Sequence, residues 1–191
     1  MRCWPRMKQP FNQLILILLL AFALRLYGLA SQNLWWDELK TWERATMPLS
    51  AMLRDLMSIR DQVPFYYWVM RLWANFGPDA IILRLFSVFL GTASVAFVYQ
   101  IGRRLNGMNT GLLAAFLLAI SPFHIWYSQE VRMYALLPAL LLLAHFCLLR
   151  LLANNRWQLW LVYGLVLTAA LYTHHFALFI VLVHTIFFVL H

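Results

Sequence analysis

Charged residues are scarce in this chain of 191 residues: Asp, Glu, Lys and Arg together account for 12% of it. An ordinary soluble domain carries about 25%. Apolar residues make up 63% of the chain, and aromatic residues alone make up 16%. This composition excludes an ordinary soluble domain and indicates a membrane protein.

Cysteine is also rare, because the chain contains two, Cys3 and Cys147. Cys3 lies in a basic tail and Cys147 lies inside an apolar run, so the predicted topology places them too far apart for a disulfide. The sequence has no CxxC motif and no Cys/His framework for a metal. The sequence therefore identifies no particular cofactor, although its carboxylates could bind a divalent cation.

Apolar runs of membrane length, or nearly so, recur along the chain and predict an all-α polytopic membrane protein with about six spans. The first run contains Arg25 and lacks the small-residue cleavage site of a secretory signal, so it is predicted to be a retained helix. The last run continues to the end of the chain. The predicted spans are 13–30, 80–101, 110–126, 133–152, 157–173 and 176 onward.

The chain has seven acidic residues, and none of them lies near the basic clusters at the predicted cytoplasmic ends of the spans. These clusters are scattered between apolar runs, which disfavours a nucleic-acid partner. The positive-inside rule instead predicts a cytoplasmic amino-terminus in a cytoplasmic (inner) membrane. Arg25 and Arg84, near span ends, are predicted to extend to the lipid headgroups. The cytoplasmic cluster comprises Arg2, Arg6, Lys8, Arg103, Arg104, Arg150 and Arg156.

The predicted outer loop 31–79 contains amphipathic segments typical of helices that lie on the membrane surface. Its first helix begins within "LWWDELKTW", so Asp37 and Glu38 lie in the first turn, where the helix dipole favours ionised carboxylates. Such a carboxylate could accept a proton from a substrate or bind a cation. Alternatively, the loop helices merely cover the ends of the bundle.

A second polar segment, "SPFHIWYSQEVRMYAL", joins the third and fourth predicted spans on the same side. Glu130 and Arg132 are the sole charged residues between Arg104 and Arg150, and Tyr134 adds a hydroxyl. Arg132 could bind a lipid phosphate, because a guanidinium group matches phosphate oxygens in a bidentate manner. Alternatively, Glu130 and Arg132 form an ion pair that joins two helix ends.

A third polar group, "YTHHF", lies at the outer end of the fifth predicted span. Adjacent histidines face different directions on a helix, which disfavours a shared metal. His174 is predicted either to line an outer cavity or to be a simple interfacial histidine. His124, His145 and His184 occur singly in apolar surroundings and receive no role.

These motifs, together with "PFYYWVMRLW", "LRLFSVFLG" and "IGRRLNG", resemble in order those of bacterial membrane glycosyltransferases related to protein O-mannosyltransferases. The resemblance implies a GT-C fold and a sugar donor carried on a polyprenyl phosphate. It implies that Asp37 is the general base, with Glu38 as its catalytic neighbour. Glu130, Arg132 and Tyr134 would bind substrate, with Arg132 on the carrier phosphate, and His174 would match an outer-end histidine of the family.

The resemblance covers essentially the whole chain. The chain corresponds to the amino-terminal half of family members, which are usually much longer. We therefore expect a partial GT-C transmembrane domain over residues 1–191 that transfers sugar at the outer membrane face. The acceptor could be a lipid, a glycan or a protein. A flippase for lipid-linked sugars and a non-catalytic assembly subunit are the alternatives, although polar groups gathered on one side favour surface chemistry over transport.

Overall fold

The computed structural model describes residues 9–58 and 63–190, which form α-helices and one short 3₁₀ helix. The amino-terminal cluster Arg2, Arg6 and Lys8, together with Cys3 and Asp61, lies outside the described residues. The helices are α1 (Gln9–Leu26), α2 (Trp36–Thr46), α3 (Leu49–Ser58), α4 (Phe65–Trp73), the 3₁₀ helix (Ala74–Phe76), α5 (Ala80–Ala119), α6 (Pro122–Tyr127), α7 (Leu136–Ala153), α8 (Trp157–Leu171) and α9 (Ala177–Leu190).

Helix α5 is a hairpin of two helical segments, because its backbone leaves the helical conformation at Asn106 and Gly107. Gly107 has a φ of +83°, a value that favours glycine. A Cβ atom added to Gly102 would lie 3.0 Å from the Cα atom of Gly111. In a straight helix these two residues would be about 13 Å apart. The predicted turn between the second and third spans is therefore confirmed.

Two predicted helix ends are wrong by several residues. The first helix stops at Leu26, before Gly28, whose φ of +73° breaks the helix. The helix predicted to reach residue 126 stops at Ala119, and the short helix α6 begins after it. Ser121 provides the reason, since its side chain caps α6 by accepting a hydrogen bond from the backbone of His124. Pro122 then occupies the first helical position, where its missing N–H is tolerated.

The apolar character of the helices fits a membrane bundle. Helices α5 and α7 are long and apolar enough to cross a bilayer, and Phe11–Leu26, α8 and α9 are shorter apolar helices. Large side chains on their outer faces, such as Leu16, Phe179 and Val189, are exposed. Such extensive apolar surface needs lipid or protein to cover it.

Helices α2 and α3 lie where the first loop was predicted to form two helices, whereas α4 was not predicted as a helix. Arg44 on α2 and Asp55 on α3 form an ion pair of 2.7 Å. Beneath them, Met52 and Leu56 of α3 pack in one buried cluster with Tyr66 and Met70 of α4. The same cluster includes Leu83, Val131 and Leu136, so the loop helices pack against the rest of the bundle.

Three segments distant in sequence meet at one end of the bundle. The backbone N–H of Phe65 donates to the carbonyl of Tyr172 at 3.0 Å, and that of Val131 donates to the Glu38 carboxylate at 2.8 Å. At the other end, the guanidinium groups of Arg104 and Arg150 both lie over the Phe146 ring. The prediction that the Asp37 loop and the 121–136 segment share one side is therefore confirmed.

His145 and His184 are not isolated, contrary to the interpretation of each as a lone histidine. Nδ1 of His145 lies 3.2 Å from Nε2 of His184, and the Tyr163 hydroxyl lies 2.9 Å from Nδ1 of His184. These side chains come from the middle of α7, α8 and α9. Their hydrogen bonds join three apolar helices.

Candidate active site

Asp37 occupies the first turn of α2, as predicted, with 39% of its side chain exposed. It forms an ion pair with Arg132, whose terminal nitrogen lies 3.7 Å from the Asp37 carboxylate. This distance is too long for a direct hydrogen bond. Both groups are therefore paired by charge while retaining their capacity to bind a substrate.

Arg132 lies in the segment between α6 and α7, with 8% of its side chain exposed. Its guanidinium group lies 5.7 Å from the centre of the Tyr134 ring. Its Nε atom is buried without a hydrogen-bond partner. The neighbouring hydroxyl of Tyr66 is likewise buried without a partner. The arrangement therefore leaves two donors without partners, and such orphaned buried groups are costly.

Glu38 faces inward and is fully buried. Arg84 donates to both of its carboxylate oxygens, from Nε at 3.0 Å and from a terminal nitrogen at 2.7 Å. The backbone N–H groups of Val131 and Trp35 donate to the same carboxylate. Glu38 therefore joins α2, α5 and the segment that carries Arg132.

Arg84 completes this buried network and was missed by the sequence-based assignment. Its remaining donors reach the carbonyls of Leu29, Gln32 and Asn33. The prediction that Arg84 extends to the headgroups is wrong. A charge inside an apolar run usually faces an internal partner, which was the available signal.

Arg25 also turns inward, so the same prediction is wrong for it. Its side chain is completely buried and donates to the carbonyls of Leu118 and Ala119, which end the α5 hairpin. It further contacts the Ser128 hydroxyl and the ring of His124. Arg25 therefore caps the carboxyl-terminal end of the α5 hairpin.

Glu130 does not form the alternative ion pair with Arg132. One of its oxygens accepts a hydrogen bond of 2.8 Å from the indole of Trp126, and the other oxygen is buried without a partner. Burial raises the pKa of Glu130, an effect that the Trp126 hydrogen bond opposes and the charge of Glu38 reinforces. The ion pair that joins two helices is therefore Glu38–Arg84 and not Glu130–Arg132.

His174 and Tyr134 border the same end of the bundle. Nδ1 of the half-buried His174 accepts a hydrogen bond of 3.1 Å from the backbone of Phe176. Burial lowers the pKa of His174, and the charges of His175 and Arg132 lower it further. Tyr134 packs edge-on against Tyr127 at 4.9 Å. All six predicted site residues thus lie at one end of the bundle, although Glu38 is buried among its hydrogen-bond partners.

Burial also perturbs Tyr66, which the sequence-based assignment missed. It raises the pKa of the Tyr66 phenol well above the ordinary value, while the charge of Arg132 acts in the opposite direction. Tyr66 therefore remains a neutral hydrogen-bond donor next to Arg132. Its position in the quoted "PFYYWVMRLW" motif was the available signal.

A bundle of apolar helices with ionisable side chains gathered at one end fits a membrane protein whose candidate site lies at that end of the bundle. The family model described as dolichyl-phosphate-mannose-protein mannosyltransferase matches residues 61–191. The chain therefore belongs to this family of glycosyltransferases, and the resemblance seen in its motifs is confirmed.

The matched residues include Arg84, Glu130, Arg132, Tyr134 and His174, whereas Asp37 and Glu38 precede them. Comparisons with curated proteins and with solved structures give no match. Roles for Asp37 and Glu38 consequently depend on their geometry.

Proposed function

We propose that the protein is a GT-C-type glycosyltransferase that moves a sugar from a polyprenyl-phosphate carrier to an acceptor. The reaction would take place at the outer face of the cytoplasmic membrane, with about six spans in this chain. Membership of the mannosyltransferase family and the apolar helices support this proposal. The donor is thus a lipid-linked sugar, and the acceptor is a lipid, a glycan or a protein.

The observation that carries the proposal is the 3.7 Å approach of Asp37 and Arg132, which come from separate parts of the sequence. The two groups have complementary abilities. A partly exposed carboxylate can accept a proton from an incoming hydroxyl or amine. A guanidinium group can bind the oxygens of the carrier phosphate.

In the proposed reaction, the acceptor oxygen or nitrogen forms a bond with the anomeric carbon of the donor sugar. The bond between that carbon and the phosphate oxygen breaks, and its electron pair leaves with the polyprenyl phosphate. Asp37 takes the acceptor proton, while Arg132 stabilises the negative charge that grows on the phosphate. Because a phosphate is a good leaving group, no general acid is required.

The other predicted residues take supporting roles in this proposal. Glu38 is a positioning residue, because its bonds to Arg84 and Val131 connect the helix of Asp37 with the segment of Arg132. Tyr134 lies against the Arg132 guanidinium group. Glu130 and His174 contribute polar groups to the wall where substrates bind.

The test is Asp37→Asn, measured as transfer of radiolabelled sugar from polyprenyl phosphate in vesicles that contain the protein. The amide keeps the size of the side chain but removes its basicity, so the rate should fall about 10²- to 10⁴-fold. Abundance in the membrane should not change. Glu43→Gln, which alters an exposed carboxylate on the same helix, should retain the original rate. Transfer by Asp37→Asn at that rate would exclude Asp37 as the base.

A further inference from the structure

A cavity of about 510 Å³ adjoins the candidate active site and shares Glu38 and Glu130 with it. It lies between the chain that follows α1 and the end of α6, and the Glu38–Arg84 pair contributes to its wall. Neither Asp37 nor Arg132 lines it. Its volume falls within the range of about 300–1,000 Å³ that is typical of small-ligand sites.

Three aromatic side chains line this cavity: Tyr27, Trp35 and Trp126. Tyr27 is 84% exposed and Trp126 is 58% exposed, so a large part of each side chain is uncovered. An aromatic ring offers an apolar face, and the indole and phenol add a polar edge. These properties match a pyranose ring, whose C–H groups form an apolar face and whose hydroxyls lie around its rim.

The charges of the lining residues disfavour an anionic ligand. Arg84 is the sole cation among the described residues that line the cavity. Its five N–H donors already reach five acceptors: both Glu38 oxygens and the carbonyls of Leu29, Gln32 and Asn33. Since a guanidinium group has five N–H donors, none remains for a phosphate.

The remaining polar groups of the wall are rich in acceptors. Gln129 uses both of its N–H donors on the carbonyls of Arg25 and Tyr27, which leaves its amide oxygen as an acceptor. Glu130 lines the cavity, and one of its carboxylate oxygens is buried without a partner. A ligand that suits this wall supplies hydroxyl or ammonium donors.

The geometry points to this cavity as a binding site for a neutral or amino-bearing saccharide unit of the acceptor. This assignment rests on the proposed function, and it narrows the acceptor to a glycan or a glycolipid. Glu38 is adjacent to Asp37 in the chain, and Glu130 is two residues from Arg132, so the cavity borders the reaction site. Because Asp37 does not line it, the unit bound there would be a neighbour of the reacting sugar.

Saturation-transfer-difference NMR tests the assignment on the purified full chain in lipid nanodiscs, without glycosidic detergents, whose sugar headgroups would compete. The probes are cellobiose, glucosamine and glucose 6-phosphate. We expect saturation transfer to the ring protons of the first two probes and none to the phosphorylated sugar. Tyr27→Ala and Trp126→Ala should each weaken binding about 2- to 10-fold, the loss expected for one aromatic contact.

Tyr172→Ala is the matched control, because Tyr172 is an aromatic residue at the same end of the bundle, is 55% exposed and does not line the cavity. It should bind the probes like the original protein. Three results would overturn the assignment: no transfer to any probe, unchanged binding by Tyr27→Ala, or equal binding of glucose 6-phosphate. Saccharide binding requires no turnover, so normal sugar transfer by Asp37→Asn would refute the proposed mechanism and leave the binding result standing.

Discussion

At the scale of single residues, the Glu38–Arg84 ion pair holds the candidate active site together. The two side chains come from α2 and α5, lie 2.7 Å apart and are almost fully buried. Every donor of Arg84 is used, and Glu38 also accepts from two backbone N–H groups. Such a pair can be stabilising, because its remaining hydrogen-bonding capacity is satisfied.

Glu38→Gln should therefore destabilise the folded protein, whereas Asp37→Asn should chiefly lower the reaction rate. Removing one partner of a buried ion pair leaves an uncompensated charge and costs about 3–5 kcal/mol. Thermal unfolding in detergent micelles measures this loss. The control Glu43→Gln breaks an exposed pair with Lys40 and should cost about 0–1 kcal/mol. Equal stability of the two variants would show that the buried pair does not hold the site.

At the scale of elements, the α5 hairpin depends on the close approach of two glycines. Gly102 and Gly111 face each other across the turn at Asn106 and Gly107. A Cβ atom on Gly111 would lie 2.6 Å from the backbone oxygen of Tyr99 and 2.9 Å from the backbone nitrogen of Arg103. Backbone atoms cannot move aside without separating the two segments.

Gly111→Val should consequently lower the stability of the bundle by about 1–3 kcal/mol or more, as overpacking of a close contact does. The shift in thermal unfolding temperature in micelles measures this effect. Gly164→Ala provides the matched control, since a Cβ atom there meets nothing within 4 Å. An unfolding temperature for Gly111→Val equal to that of Gly164→Ala would contradict the close packing of the hairpin.

At the scale of the whole molecule, polar and ionisable side chains from separate helices gather at one end. Arg25 contacts the 121–128 segment, Glu38 contacts Val131, and Phe65 contacts Tyr172. The basic residues Arg104 and Arg150 lie at the opposite end. Together with the positive-inside rule, this separation supports an active site on the outer face.

Cysteine labelling tests that orientation. A Cys3→Ser background leaves the buried Cys147 as the remaining native thiol. In intact cells, a membrane-impermeant thiol reagent should modify Ser50→Cys, because the exposed Ser50 lies in the loop that we propose to be on the outer face. Asn154→Cys, at the other end of α7, should react only after the membrane is permeabilised. The reverse pattern would place the site in the cytoplasm and refute the proposed location.

The sequence by itself determined the apolar helices, the two helices α2 and α3 of the first loop, and the turn of the α5 hairpin. Each apolar run is a local property, and it matches a helix to within a few residues except where Gly28 and Ser121 end or begin one. The placement of Asp37 in a first helical turn was equally local. The family motifs further identified the residues to consider as a site.

The tertiary structure decided which of these side chains pair with each other. Arg84 and Arg25 were expected at the headgroups but are buried, and Glu130 was considered as a partner for Arg132 but bonds to Trp126. His145 and His184 likewise form a pair that no local pattern reveals. Helical periodicity gives each side chain a direction, but its partner depends on how distant helices pack and rotate. The low dielectric of the interior makes any unpaired polar group costly, so the packing must supply these partners.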